Sequence, residues 1–213
     1  MVALASSRSP PPVKALLLHR LAKPLVFGLS LLPFCWLLYA AITNQLGANP
    51  AEALSRSTGD WTLRFLCLVL AITPLRVLTD TPALARFRRM FGLFVYFYAV
   101  IHLLCYSWFD MGFDVAEIAK DIAKRPFILV GFSAFVLLTP LALTSFNRAI
   151  KALGARRWQI LHKLIYGIAG LAILHFFWMR AGKNDFAEVF VYALILGTLM
   201  GWRVVKFMKK KRL

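Results

Sequence analysis

With 213 residues, 60% of them hydrophobic and only 16% charged, the chain lies far from the balance of a soluble domain and must spend most of its length in lipid. Its formal net charge of +17 would suit a nucleic-acid binder only if the basic residues formed a face on a soluble fold. They sit instead in short clusters between long apolar runs, which excludes nucleic acid as a partner. Cys35, Cys67 and Cys105 each fall inside an apolar run with no C-x-x-C pair, so neither a disulfide framework nor a structural zinc site is expected.

The N-terminus, Met1 to Pro12, is rich in Ser and Pro and is predicted to be unstructured. Lys14, Arg20 and Lys23 then lead into the first apolar run, which is long enough to span and reads as an uncleaved helix rather than a signal peptide. A bilayer core needs about 20 apolar residues in a helix. Six segments come close: Pro24 to Ile42, Trp61 to Leu78, Phe91 to Phe109, Phe127 to Leu143, Leu164 to Met179, and Phe186 to Val205. Pro74 predicts a kink or an early end in the second. The fold class is therefore an all-α integral membrane bundle of about six transmembrane helices. It divides into an N-terminal tail (1–23), a transmembrane domain (24–205) and a basic C-terminal tail (206–213).

Orientation follows from the basic residues, which short loops retain in the cytoplasm. Six spans put both termini on one side. That side receives 19 of the 26 Lys and Arg residues, while the other receives eight of the nine acids, Asp80 being the exception. Both termini are expected to be cytoplasmic. Trp61, Trp108 and Trp178 then fall at the outer ends of helices and Trp158 and Trp202 near the inner face, as an aromatic belt requires.

Ionisable side chains inside a membrane mark function. Of the four histidines, His19 lies in the inner tail and reads as an interfacial side chain. His102 falls about seven residues, or roughly 10 Å, from the outer end of the third span. His175 falls about four residues from the outer end of the fifth, so the two can meet at similar depth. A histidine pair from two neighbouring helices builds a bis-imidazole heme site that carries single electrons. A packed histidine bonded to a nearby hydroxyl or carbonyl is the alternative for each.

His162 lies 13 residues before His175, about 20 Å of helical rise. That separation suits a second heme, but the two side chains do not share a face. Either Gly167 and Gly170 let the helix bend, or the hemes are offset around it. A partner for His162 on the third span would fall at Arg88 or Arg89, which are poor iron ligands, so the inner site is incomplete.

Several segments together carry a family resemblance: Ser57-Thr-Gly-Asp-Trp-Thr-Leu-Arg64, Ile72-Thr-Pro-Leu-Arg76, Arg88-Arg-Met-Phe-Gly-Leu-Phe94, Tyr98-Ala-Val-Ile-His-Leu-Leu104, Gly154-Ala-Arg-Arg-Trp-Gln-Ile-Leu-His162 and Leu174-His-Phe-Phe-Trp178. Over Ser57 to Met179 the chain resembles the heme-binding membrane subunit of the bacterial protein-methionine-sulfoxide reductase system, within the ferric-reductase-like transmembrane group. The resemblance implies a six-helix b-type cytochrome of the bacterial inner membrane with one or two hemes b. Electrons would come from the quinone pool or a cytoplasmic flavin reductase. They would pass to a periplasmic molybdopterin enzyme that repairs oxidised methionines.

The resemblance also implies His102, His162 and His175 as heme histidines, with His102 and His175 on the outer iron and His162 on an inner one. Arg88 and Arg89 stand where the wider group often has an inner histidine. FMN is associated with the family. No flavin signature is visible here, and Arg76, Arg88 and Arg89 are cationic candidates for an FMN phosphate or a heme propionate. Their alternative role is that of ordinary inner charges against lipid headgroups.

The chain has no G-x-G-x-x-G after a strand and no soluble nucleotide domain. A non-catalytic electron-transfer subunit with a separate donor and acceptor is thus expected. The outer acids Asp110, Asp114, Glu117 and Asp121 form a candidate docking surface for the periplasmic partner, and solvated loops are the alternative. A histidine-relay proton or metal transporter would need acids within the helices, and all nine fall in expected loops or near helix ends. Direct reduction of ferric iron at the outer face shares the heme chemistry and differs in its acceptor.

Overall fold

In lipid every backbone polar group must be satisfied within its own segment, so the apolar runs fold as helices. The computed structural model describes residues 12–182 and 184–211. Its α-helices are α1 (Pro12–Leu18), α2 (Ala22–Ile42), α3 (Pro50–Leu78), α4 (Arg88–Cys105), α5 (Val115–Lys124), α6 (Pro126–Leu143), α7 (Asn147–Leu153), α8 (Ala155–Leu161), α9 (Leu164–Ala181) and α10 (Ala187–Lys211). A 3₁₀ segment, Pro82–Phe87, leads into α4, and a π turn, Tyr106–Asp110, leads out of it. Among the described residues six stretches are long and apolar enough to cross a membrane: Ala22–Ile42, Pro50–Leu78, Pro82–Asp110, Pro126–Leu143, Ala155–Ala181 and Ala187–Lys209. The chain is thus an all-α, multi-pass membrane protein.

Each expected span is found, and the differences lie at the ends. α3 starts at Pro50 instead of Trp61 because a reciprocal cap nucleates it early. The Asn49 side chain accepts from the Glu52 N–H at 3.2 Å and its amide donates to the Glu52 carboxylate at 3.3 Å, with proline in the first turn. α3 also runs through Pro74 to Leu78, so no early end occurs. The long connection around Glu117 contains α5, capped by Asp114, which accepts from the N–H groups of Ala116 and Glu117. The expected unstructured segment lies outside the described residues except for Pro12, which opens α1. At the other terminus the basic segment from Lys206 continues α10 as far as Lys211.

Two helix pairs organise the bundle, α3 with α4 and α6 with α9. Between them Phe65, Leu66, Leu70, Val95, Tyr98 and Ala169 form the centre of the core. Tyr98 is fully buried, and its hydroxyl donates to the Ser30 carbonyl at 2.9 Å while accepting from the Phe34 N–H at 3.1 Å. Those two groups would pair directly in a regular helix. The hydroxyl therefore joins α2 to α4 at the turn that holds Pro33. Large apolar side chains such as Leu25, Leu29, Leu32 and Trp36 stay exposed along α2, as a lipid-facing helix requires.

A cavity framed by two histidines

The two helix pairs face each other across a cavity of about 600 Å³, a volume within the range of small-molecule and cofactor sites. Its walls are mainly apolar, including Leu66, Val95, Phe132 and Leu138, and its mouth lies at the end of the bundle that carries Asn49, Asp110 and Arg125. His102 of α4 and His175 of α9 project into it from opposite sides. Their ring centres are 6.2 Å apart and their planes cross at 77°.

Each imidazole is held by the helix paired with its own. His102 Nδ1 lies 2.9 Å from the Ser55 carbonyl of α3, and His175 Nδ1 lies 2.7 Å from the Phe127 carbonyl of α6. A carbonyl only accepts, so each Nδ1 carries the proton and each Nε2 keeps its lone pair. This is the arrangement by which an outer partner fixes the tautomer of a metal-binding histidine.

Room for the rings comes from two glycines that the sequence reading passed over. A Cβ at Gly59 would lie 3.2 Å from His102 Cε1, and one at Gly131 would lie 2.7 Å from His175 Nδ1. Gly59 follows Ser55 by four residues, and Gly131 follows Phe127 by four. In a helix the carbonyl of residue i and the side chain of residue i+4 share one face. A ring can reach the carbonyl only where the i+4 side chain is missing. The signal in the sequence was a lone glycine, Gly131 within the fourth span and Gly59 two residues before the second.

The pair suits an iron porphyrin. A metal–imidazole bond of about 2.0 Å on each side, plus about 1.1 Å from nitrogen to ring centre, separates two axial ring centres by about 6.2 Å. Among the described residues no cluster of three or more His, Cys, Asp or Glu could hold a bare metal ion, which leaves a cofactor-borne metal as the better match.

His162 does not line this cavity. It sits in the break between α8 and α9, at His162–Lys163, while α9 runs unbroken through Gly167 and Gly170. Its ring stacks on Trp158 with centres 3.9 Å apart, and its Nδ1 bonds the Trp158 carbonyl at 3.0 Å. Among the described residues Nε2, which is buried, makes no hydrogen bond of regular geometry. Arg76 and Arg88 line a separate crevice at the opposite end, and Arg89 donates to Asn147 Oδ1 at 2.7 Å. His19, exposed, accepts from the Leu21 N–H at 3.2 Å between α1 and α2.

The early start of α3 corrects one expectation: Asp60 lies within a spanning helix and lines the cavity, whereas Glu52 keeps to the first turn of α3. Both histidine Nδ1 atoms nonetheless bond to carbonyls rather than to an acid. At the mouth Arg180 is buried and bridges Asp185, at 3.1 Å, and Glu188. The four acids expected to dock a partner are largely engaged locally. Asp114 caps α5, Glu117 pairs with Lys120 at 3.0 Å, and Asp121 pairs with Arg125 at 2.7 Å and accepts from the Tyr106 hydroxyl.

Residues 58–174, more than half of the chain, match the family model described as ferric reductase like transmembrane component. The chain is 76% identical, over 92% of its length and 90% of the relative's, to the protein-methionine-sulfoxide reductase heme-binding subunit MsrQ of Polaromonas naphthalenivorans. The chain belongs to this heme-binding subunit family. Proteins of the same description in Herminiimonas arsenicoxydans and Ralstonia nicotianae are 55% and 52% identical over 86% and 91% of the chain. No solved structure matches.

Proposed function

We propose that the chain is the b-type cytochrome subunit of a protein-methionine-sulfoxide reductase system in the bacterial inner membrane, and that His102 and His175 are the axial ligands of its heme. The observation that carries this reading is the 6.2 Å separation of two imidazoles whose Nδ1 atoms are both committed to carbonyls. When bound, a heme would supply a one-electron carrier. His102 and His175 hold it by Nε2, and Ser55 and Phe127 keep each ring in the tautomer that exposes that nitrogen. The apolar walls keep water away. Arg56, Arg125 and Arg180 line the same cavity, each already paired with a carboxylate.

The end carrying Asn49, Asp110 and Arg180 is the periplasmic one in this reading, and both termini lie in the cytoplasm. The acceptor is a periplasmic molybdopterin-containing reductase that repairs oxidised methionines in proteins, and the donor is the quinone pool or a cytoplasmic flavin reductase. His162, with its buried Nε2, is the candidate ligand for a second heme. An FMN role rests on resemblance alone, and Arg76, Arg88 and Arg89 do not line the histidine cavity.

The test is the reduced-minus-oxidised spectrum of the purified protein beside its His102→Ala and His175→Ala variants. A b-type signal that collapses in both supports the assignment. Folded wild-type protein without heme, expressed with heme supplied, overturns it. Direct reduction of ferric iron is a second reading, favoured by the ferric-reductase family match. Rapid oxidation of the reduced protein by ferric chelates, and not by the reductase subunit, would select it.

A further inference from the structure

At the end of the bundle remote from the histidine cavity, a crevice of about 340 Å³ opens between α3, α4, α9 and α10. Four cations line it: Arg76 near the end of α3, Arg88 at the start of α4, and Arg203 and Lys206 on α10. Tyr166 and Trp202 supply its aromatic walls. Arg203 is fixed in place. It donates to the carbonyls of Leu199, at 2.6 Å, and Leu70, and its guanidinium lies 5.7 Å from the centre of the Tyr166 ring. Lys206 Nζ lies 4.9 Å from the Trp202 ring centre.

The charges of this crevice are uncompensated. Among the described residues none of the four forms an ion pair with a carboxylate, and the one acid expected at this end, Asp80, pairs with Lys14 at 3.7 Å. The opposite end behaves differently. There Arg56 pairs with Glu52, Arg125 with Asp121, and Arg180 with Asp185 and Glu188. Four like charges gathered in one crevice repel one another, and a bound anion offsets that repulsion.

We propose that this crevice is a phosphate-binding site, with Arg76, Arg88 and Lys206 engaging the anion beside a prearranged Arg203, and that its natural occupant is the headgroup of an anionic phospholipid. A fork of guanidinium donors matches phosphate oxygens, and prior fixation of Arg203 lowers the ordering cost of binding. The crevice lies between spanning helices beside exposed Val77, Leu78 and Val204, so acyl chains would continue along an apolar exterior. Basic pockets between membrane helices select such headgroups. A soluble phosphate offers the same chemistry from a second source.

The experiment measures lipid binding to the purified holoprotein by native mass spectrometry and thermal unfolding, with phosphatidylglycerol, phosphatidylcholine or inorganic phosphate added. Phosphatidylglycerol is expected to bind and stabilise in preference to phosphatidylcholine. The double variant Arg76→Gln/Arg88→Gln is expected to weaken that binding about tenfold to thirtyfold, since each basic residue near an anionic surface contributes about fivefold. The double variant Lys151→Gln/Arg157→Gln, exposed at the same end but outside the crevice, should weaken it markedly less. If the first variant fails to fold, Lys206→Gln alone should weaken binding about fivefold. Stabilisation by inorganic phosphate, lost in the crevice variant, would keep the site and move its source to a soluble phosphate. Equal loss in both double variants, or equal binding of the two lipids with no response to phosphate, overturns the proposal.

Discussion

His175 occupies the space that a side chain at position 131 would need: a Cβ on Gly131 would lie 2.7 Å from its Nδ1, while that same nitrogen is 2.7 Å from the Phe127 carbonyl one turn earlier. Gly59 stands in the same relation to His102 and Ser55, with more room at 3.2 Å. Position and orientation of both rings thus depend on two hydrogen atoms where other residues carry carbon.

Gly131→Ala should therefore displace His175 and weaken heme retention, while Gly59→Ala should do so less. Overpacking of this kind costs about 1–3 kcal/mol, or about fivefold to 150-fold in affinity. Heme per polypeptide after purification, measured on the pyridine complex, gives the ranking. Full retention in Gly131→Ala would show that His175 binds without its carbonyl bond.

The crossing of the two ring planes at 77° has a spectroscopic consequence. Because each ring is tied through Nδ1 to a carbonyl of a neighbouring helix, it would not be free to rotate if its Nε2 held the proposed heme. Near-perpendicular axial imidazoles are expected to give the ferric protein a highly anisotropic low-spin electron paramagnetic resonance signal. His162→Ala, which alters no residue of the cavity wall, should leave that signal in place and remove only a second heme where one is bound. Disappearance of the anisotropic signal in His162→Ala would put His162 in the same site as the pair.

The spans and the histidine pair were legible in the sequence because hydropathy and helical rise act over many residues. Trp61 to Leu78 and Phe91 to Phe109 were visible as apolar runs, and equal depth brought His102 and His175 together. The ends were less legible, because caps depend on a few local bonds. Asn49 with Glu52 starts α3 early, and that start carries Ser55, Gly59 and Asp60 into the cavity wall. Nor could periodicity show that the chain breaks at His162–Lys163, which puts His162 outside the helix that carries His175. The partners of the two rings are main-chain carbonyls, on which the identities of Ser55 and Phe127 give no information.

Tyr98 offers a test of packing that does not depend on any cofactor ligand. Its hydroxyl stands between the Phe34 N–H and the Ser30 carbonyl, so Tyr98→Phe leaves a buried donor and acceptor to find one another. If α2 cannot close, the loss is about 1–3 kcal/mol. Thermal unfolding in detergent should then shift down while the helical content stays unchanged. An unshifted midpoint would mean that α2 regains its own hydrogen bond at Pro33.

The charge pattern predicts a direction of insertion, which can be tested separately from heme. The end with Arg76, Arg88, Lys151 and Lys206 is far richer in cations than the end with Glu52, Asp110, Asp121 and Glu188, and basic segments near span ends stay in the cytoplasm. A fluorescent protein fused after Leu213 should therefore fluoresce, and alkaline phosphatase at the same point should be inactive. Alkaline phosphatase inserted between Met111 and Gly112, after the π turn, should be active instead. That pattern places the mouth of the histidine cavity at the periplasmic face, where a reductase subunit outside the cell membrane could draw electrons from it. The reverse pattern would contradict the charge rule and would place the proposed acceptor on the wrong side of the bilayer, even with the heme assignment intact.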